Sequence, residues 1–173
     1  MKRINAPLSE EDLKDLKVGQ EVLLSGTIYT ARDQAHKRLV EAIKNGKPLS
    51  FKLKNAVIYY CGPTQTPKGK VIGACGPTTS SRMDEFTPAL LGAGLRGMIG
   101  KGGRCSLVRD AIKKHKAAYF VTYAGCGALL SKYVVQKKII AYPDLGPEAI
   151  YGLEVKDFPL IVAIDSWGNN IYV

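Results

Sequence analysis

The sequence contains no long run of apolar residues, and this absence bears directly on where the protein works. A membrane-spanning helix needs about 20 consecutive apolar residues, and no stretch of this chain approaches that length. Residues 1–16, MKRINAPLSEEDLKDL, include basic side chains, but the apolar segment of a secretory signal does not follow them. The sequence therefore predicts a cytoplasmic protein that does not associate with a membrane.

Cysteine is scarce, and its spacing does not indicate a metal site. The four cysteines are Cys61, Cys75, Cys105 and Cys126. No two of them form the C-x-x-C pair that is typical of zinc and redox sites, and without a secretory signal structural disulfides are not expected. We interpret them as buried thiols, in preference to a cluster assembled through the fold, and the sequence predicts no metal bound by this chain.

Histidine is scarcer still, which disfavours a conventional hydrolase. Only His36 and His115 are available as histidine bases, and the sequence has no G-x-S-x-G nucleophile motif. His36 lies four residues after Arg32, so both project from one face of a predicted helix. A buried or capping role for His36 is the favoured interpretation, and a role in a site is the alternative.

Positive charge is abundant by contrast. The chain has 25 lysine and arginine residues against 15 acidic residues, for a formal net charge of +10. Such an excess is compatible with nucleic acid, an acidic partner, an anionic substrate or a solvated lysine-rich surface. Because the basic residues are spread along the whole chain, charge alone does not select among these partners.

The hydrophobic pattern predicts strands that alternate with helices. Runs rich in β-forming residues predict strands at 21–29, 56–61, 70–75, 97–100, 118–123, 138–142 and 160–165, with a terminal hairpin through 171–173. Helical spacing and capping signals predict helices at 9–19, 31–45, 80–91, 104–116 and 127–133. No linker divides the chain, so we expect one α/β domain over residues 1–173, with helices packed on a mixed β-sheet.

Polar and glycine-rich sequences follow several of the predicted strands. They are TARD at 30–33, GPTTS at 76–80, GKGG at 100–103 and AGCG at 124–127. Ligands bind at the carboxyl ends of strands in α/β sheets, and the free N–H groups that open the next helix favour anions. If these junctions share one rim, they bring together two arginines, a lysine and two hydroxyls, namely Arg32, Arg82, Lys101, Thr78 and Thr79.

This set of side chains matches the chemistry of a small dicarboxylate. Arginine binds a carboxylate through two parallel charge-assisted hydrogen bonds, and lysine adds a compact point charge. For each residue by itself, a surface cation or a helix cap is the favoured interpretation. Together they predict an anion-binding site.

Other glycine-rich patterns point to nucleotides or nucleic acid. GAGLRG at 92–97 matches the dinucleotide fingerprint literally, but it follows a predicted helix and leads into a strand, which is the reverse order. The GKGG sequence at 100–103 resembles the GXXG loop of KH RNA-binding domains, and a basic helix follows it. That loop joins two helices in KH domains, whereas a strand is predicted before it here. RNA binding is therefore kept as the alternative of another class.

The longer motifs resemble those of one enzyme family. TARDQAHKR at 30–38, IYYCGPT at 58–64, GPTTSSRMD at 76–84, GKGG at 100–103 and the ending over 157–169 are similar, in this order, to the C-terminal region of class I fumarases. The same family includes the beta subunit of L-tartrate dehydratase. The resemblance extends over essentially the whole chain.

The resemblance implies a fold, an activity and a partner. The fold is a swivelling β/β/α domain, and the activity is the reversible hydration of fumarate to L-malate by a two-subunit hydro-lyase of which this chain is the beta subunit. A separate alpha subunit, in an α2β2 assembly, supplies the ligands of a [4Fe–4S] cluster, so this chain is expected to bind no cofactor and to be inactive alone. No specific nucleic acid is expected as a partner.

The resemblance also implies which residues contact the substrate. The matching positions are Arg32, Thr78, Thr79, Arg82 and Lys101, with Thr78 as the catalytic base and Lys101 as its support. Tartrate dehydratase is the alternative activity. Ala31, Ala35 and the GPT sequence at 62–64 resemble fumarase more closely.

Overall fold

The computed structural model describes residues 1–172, which contain seven strands and five α-helices. The strands are β1 (Lys2–Ala6), β2 (Glu21–Thr30), β3 (Val57–Tyr59), β4 (Gly97–Gly100), β5 (Ala118–Val121), β6 (Val134–Ala141) and β7 (Ile150–Ile164). The helices are α1 (Glu10–Leu13), α2 (Asp33–Lys44), α3 (Thr87–Gly92), α4 (Ser106–Lys114) and α5 (Gly127–Leu130). Short 3₁₀ turns cover Ser80–Met83, Ser131–Tyr133 and Pro143–Glu148. None of the helices within residues 1–172 is long and apolar enough to cross a membrane.

The strands form one mixed sheet that closes on itself. Their order is β1-β2-β3-β4-β5-β7-β6, and β2 pairs additionally with β7. The pairs from β2 to β5 are parallel, and β7 runs antiparallel to both β5 and β2. Because β7 is long, its first half pairs with β6 and its second half with β5. Because β2, β3, β4 and β5 run parallel to one another, their carboxyl ends lie on one rim.

Two hydrophobic clusters lie on opposite faces of this sheet. Successive side chains of a strand point to opposite faces, and in β3 this alternation sends Val57 and Tyr59 into an inner cluster inside the closed sheet. Ile58 enters the outer cluster, where α2 contributes Leu39 and other apolar side chains. The α/β fold class with a mixed sheet is therefore confirmed.

The predicted strand at 70–75 is wrong. This segment is an irregular loop, in which Ala74 C=O accepts a 3.0 Å hydrogen bond from the Thr64 amide. Gly73 packs so tightly that a Cβ would lie 2.3 Å from Thr64 O. Ile72 and Cys75 are buried in the inner cluster, so the apolar character of the segment reflects packing of a loop and not strand pairing.

Several other boundaries differ from the prediction. The helix expected at 80–91 is divided into a 3₁₀ turn and α3, because Pro88 favours the first turn of a new helix. The capping box of Ser9 is present, but α1 is much shorter than expected.

Strand β1 was not predicted, since Ile4 is its one buried side chain and the period-2 signal is weak. Of the terminal hairpin that was expected through 171–173, the structure shows an isolated bridge between Ile164 and Asn170. Residue 173 lies outside the described residues.

Candidate functional site

The predicted rim forms where the chain leaves β2, β3 and β4. Backbone hydrogen bonds continue the sheet beyond the strands, with Tyr60 N–H donating to Ile99 C=O at 2.8 Å and Thr78 N–H donating to Tyr60 C=O at 2.7 Å. Thr79 and Lys101 form an isolated parallel bridge. Three of the five predicted site residues, Thr78, Thr79 and Lys101, are thus held side by side by main-chain pairing.

A buried serine fixes the backbone on which Lys101 stands. Ser80 N–H donates to Lys101 C=O, and Lys101 N–H donates to Ser80 Oγ, both at 3.0 Å. The hydroxyl of Tyr119 lies 2.8 Å from the same Ser80 Oγ and donates to Gly102 C=O at 2.7 Å. A Cβ on Gly100 would lie 1.9 Å from Ser80 Oγ, so glycine is required there. Sequence reasoning missed both Ser80 and Tyr119.

Arg82 is bound on one side by an acid and contacts Thr78 on the other. Its Nε donates to Asp33 Oδ1 at 3.0 Å, and its Nη2 donates to Asp33 Oδ2 in a second, short hydrogen bond. Its Nη1 lies 3.4 Å from Thr78 Oγ1. The hydrogen bond from Arg82 lowers the pKa of Asp33, so this carboxyl group is ionised at neutral pH. Sequence reasoning had not singled out Asp33.

Arg32 enters the rim one residue before Asp33, at the N-cap of α2. A Cβ on Gly62 would lie 2.7 Å from Arg32 Nη1 and 2.9 Å from Cδ, so the arginine side chain lies against the glycine of the first GPT sequence. Among the described residues, the buried Nε of Arg32 has no hydrogen-bond partner. Arg32 is linked to the other site residues through its neighbour Asp33, which binds Arg82.

His36 is buried and belongs to the supporting structure, as the favoured interpretation of the sequence held. Its Nδ1 lies 2.8 Å from Arg32 C=O, and because a carbonyl only accepts, Nδ1 carries the proton. Burial lowers the pKa of His36 to about 4, so the ring is neutral at physiological pH. The ring packs against Tyr60 and Phe86, with centroid distances of 5.3 and 6.0 Å.

A buried ion pair lies next to this rim. Arg104, whose side chain is 0% exposed, donates from Nε to Asp84 Oδ1 at 2.6 Å. Its guanidinium carbon lies 5.3 Å from the Tyr60 ring centroid and 4.9 Å from that of Tyr119, and Nη2 donates to Thr87 Oγ1 at 2.7 Å. Arg104 therefore ties together the aromatic side chains beside Ser80. No local pattern in the sequence marks this arginine as buried.

The four cysteines differ in how far they are exposed to solvent. Cys61 and Cys75 are buried, as expected from the sequence, whereas Cys126 is half-buried and Cys105 is exposed. Within residues 1–172, no group of three or more His, Cys, Asp or Glu side chains is arranged to hold a metal ion. The described residues therefore do not provide a ligand set for an iron–sulfur cluster.

Comparison with known proteins identifies relatives of two kinds. Fumarate hydratase 2 of Leishmania major is 40% identical over 164 residues, which cover 94% of this chain and 29% of that protein. The aerobic class I fumarate hydratase of Escherichia coli strain K12 is 38% identical over 173 residues, covering 98% of this chain and 32% of that protein. The L(+)-tartrate dehydratase subunit beta of the same strain is 36% identical over 177 residues, covering 99% of this chain and 87% of that subunit.

These matches differ in how much of each relative the chain covers. The chain spans about a third of the length of the fumarate hydratases it matches, and most of the length of the tartrate dehydratase beta subunit. The family model described as Fumarase C-terminus matches residues 2–173. Since that match takes in nearly every residue, this chain belongs to the Fumarase C-terminus family, which the motifs at the rim had indicated.

Proposed function

We propose that this chain is the beta subunit of a two-subunit fumarate hydratase and supplies the cations that bind the dicarboxylate. The observation that carries the proposal is the contact of Arg82 Nη1 with Thr78 Oγ1 on a rim where Lys101 is paired with Thr79. The same chain, as one domain over residues 1–173, covers most of a relative that is named as a beta subunit. The proposed partner is an alpha subunit, in an α2β2 assembly in the cytoplasm.

The proposed role of the cations is to bind and polarise the substrate. As malate loses the proton at C3, negative charge accumulates on the adjacent carboxylate, and positioned donors stabilise that charge. Arg82 has donors that Asp33 leaves free, Arg32 presents its guanidinium beside Gly62, and Lys101 adds a point charge. Thr79 is exposed and offers a hydroxyl to the substrate.

Thr78 is proposed to exchange the C3 proton. In fumarate hydration, the Thr78 hydroxyl would donate its proton to C3 and be left as an alkoxide, which then recovers a proton from water. Because an alkoxide is a high-energy species, it needs neighbouring cations that stabilise the negative oxygen. Arg82 Nη1, at 3.4 Å from Oγ1, is one such group, and Lys101 is proposed as another. The backbone of Thr78 is fixed by its hydrogen bond to Tyr60 C=O, which keeps the hydroxyl on the rim.

The leaving hydroxyl requires a group from outside this chain. The family resemblance implies a [4Fe–4S] cluster on the alpha subunit, which would supply a Lewis acid when bound. Since the described residues do not form a ligand set for it, we assign no step of the reaction to a metal held by this chain.

Two other functions are testable alongside this one. Tartrate dehydratase is supported by the 87% coverage of a tartrate dehydratase beta subunit, and its substrate presents the same two carboxylates. RNA binding through the GKGG sequence is disfavoured, because that sequence follows strand β4 and is held by Thr79 and Ser80, whereas a KH loop joins two helices.

The test is an anaerobic assay of this chain alone and co-expressed with its candidate alpha partner, with fumarate and L-tartrate as substrates. We expect fumarate hydration in the pair and none from the chain alone. Arg82→Ala should lower kcat/KM by about 100-fold, since a charge-assisted contact to the substrate is lost. Arg3→Ala, at an exposed ion pair with Asp157, is the control and should leave activity unchanged.

The substrate preference of the pair decides between the candidates. Dehydration of tartrate without hydration of fumarate would favour the second candidate. If a cluster-loaded pair acts on neither substrate, the hydro-lyase proposal is wrong, and salt-dependent binding to single-stranded RNA becomes the next measurement.

A further inference from the structure

We infer that Asp33 is a positioning residue, whose carboxylate holds the Arg82 guanidinium so that its opposite edge faces the substrate. The inference rests on the proposed dicarboxylate site and adds to it a residue that does not itself touch the substrate. It is carried by the geometry of three side chains, those of Asp33, Arg82 and Thr78.

The two oxygens of Asp33 occupy one edge of the guanidinium. Nε donates to Oδ1 and Nη2 donates to Oδ2, which uses two of the five N–H groups of Arg82. The remaining three are on Nη1 and on the outer side of Nη2. Because Nη1 lies 3.4 Å from Thr78 Oγ1, the edge that stays free for a carboxylate is the edge beside the proposed base.

Arg82 needs an external partner to keep this orientation. It stands on a 3₁₀ turn, and 44% of its side chain is exposed. An unrestrained arginine loses rotamer entropy when it is fixed in one geometry. Asp33 has already restricted the side chain, so substrate binding does not have to do so.

Asp33 is itself held in a rigid place. It is the first residue of α2, where the positive end of the helix dipole stabilises a carboxylate. Its side chain is 32% exposed, less than that of its partner. The hydrogen bond from Arg82 lowers the pKa of Asp33, in agreement with a carboxylate that remains charged over the working pH range.

The role predicts a particular pattern in a double-mutant cycle. If Asp33 acts through Arg82, removing its charge matters only while Arg82 is present. In the holoenzyme with the alpha partner, we expect Asp33→Asn to lower kcat/KM for fumarate about tenfold, mainly through kcat. Local positive charge increases when Asp33 is neutralised, so KM should not rise. The double variant Asp33→Asn/Arg82→Ala should be no less active than Arg82→Ala alone.

Two further variants separate positioning from a loss of folding. Asp144→Asn breaks a similar two-bond ion pair, with Arg38 on the same helix, and should keep kcat/KM within twofold of the wild type. Asp33→Glu retains the carboxylate and should recover part of the activity that Asp33→Asn loses. Thermal melting of each variant in complex with the alpha partner shows whether the fold is retained.

The outcomes distinguish this inference from the proposed function. An active wild-type pair in which Asp33→Asn stays within twofold, or in which the two substitutions are additive, overturns the positioning role and leaves the hydro-lyase proposal in place. Failure of Asp33→Glu to recover any activity in a folded pair also overturns it. A cluster-loaded wild-type pair that acts on neither fumarate nor tartrate refutes the proposed function first, and the inference with it.

Discussion

At the scale of single residues, the Arg104–Asp84 pair shows how the region beside the rim is stabilised. Arg104 is wholly buried between two tyrosine rings, and Asp84 also accepts a 2.9 Å hydrogen bond from Cys105 N–H at the start of α4. A buried charge that loses its partner is strongly destabilising, because desolvation is no longer compensated.

We therefore predict that Asp84→Ala lowers the free energy of unfolding by about 3–5 kcal/mol, measured by urea denaturation. The matched variant Asp144→Ala removes the acid of the exposed Arg38 ion pair and should cause a much smaller change, since exposed pairs contribute little. Equal losses in the two variants would contradict the structural role given to Arg104.

His36 predicts how stability depends on pH. Burial lowers its pKa to about 4, against about 6.5 in an unfolded chain, so the unfolded state binds the proton more readily between these values. The contribution of neutral His36 to the free energy of unfolding is fully present above pH 6.5. It is lost as the pH falls towards 4, and the total loss is about 3 kcal/mol.

The measurement is urea unfolding of the wild type and of His36→Gln between pH 7 and pH 4. Carboxyl groups such as Asp33 titrate in both proteins and cancel in the comparison. The variant should lose less stability on acidification than the wild type. Parallel curves would show that His36 is not held neutral by the fold.

At the scale of elements, the two GPT sequences look alike but have different surroundings. The side chain of Arg32 fills the space beside Gly62, and Pro147 O lies 3.1 Å from the position of a Cβ there. At Gly76, the nearest atoms belong to Gly127 at 3.5 and 3.6 Å, which is ordinary contact. The first loop therefore positions the candidate site residue Arg32, and the second tolerates a methyl group.

We predict that Gly62→Ala displaces the Arg32 guanidinium and lowers kcat/KM of the holoenzyme about tenfold or more, because small misplacements of binding groups are costly. The arginine side chain can move away from the new methyl group, whereas Pro147 O, 3.1 Å from its position, belongs to the backbone, so we expect a modest loss of thermal stability beside the larger loss of activity. Gly76→Ala is the matched control and should leave both quantities near the wild-type values. A similar loss of activity in both variants would argue against a specific contact with Arg32.

At the scale of the whole molecule, both hydrophobic clusters share one closed sheet. Val57 and Ile58 are neighbours in β3, but Val57 belongs to the inner cluster and Ile58 to the outer cluster. Unfolding of either cluster would therefore disrupt the strand on which the other cluster also depends. Trp167 reports on the joining of distant segments, since its Nε1 donates to Lys14 C=O at 3.1 Å.

This arrangement predicts a single cooperative unfolding transition. Urea curves followed by far-UV circular dichroism and by fluorescence of Trp167, the one tryptophan in the sequence, should superimpose. Leu39→Ala, in the outer cluster, should move both curves together. A fluorescence change that precedes the loss of secondary structure would contradict this expectation.

The sequence predicted the elements whose signals are local. Strand β2 is a continuous run of β-forming residues, α2 has helical apolar spacing, and Ser9 forms the capping box that its spacing to Asp12 indicated. The apolar segment at 70–75 was misread for a physical reason. An apolar run shows only that residues are buried, and here a loop is buried over one end of the closed sheet.

For the candidate site, residue types and strand ends led to the prediction of Arg32, Thr78, Thr79, Arg82 and Lys101, which stays a prediction. The motifs around these residues indicated the family that the comparison shows. The tertiary structure decided their partners, because Asp33 reaches Arg82, and Ser80 reaches Lys101, only when several strand ends meet on one rim. Tyr119 in turn contacts Ser80. It also decided that the sheet closes through β2 and β7, a pairing between segments more than a hundred residues apart. Local periodicity records which residues are buried, and only the assembled chain sets which of them touch.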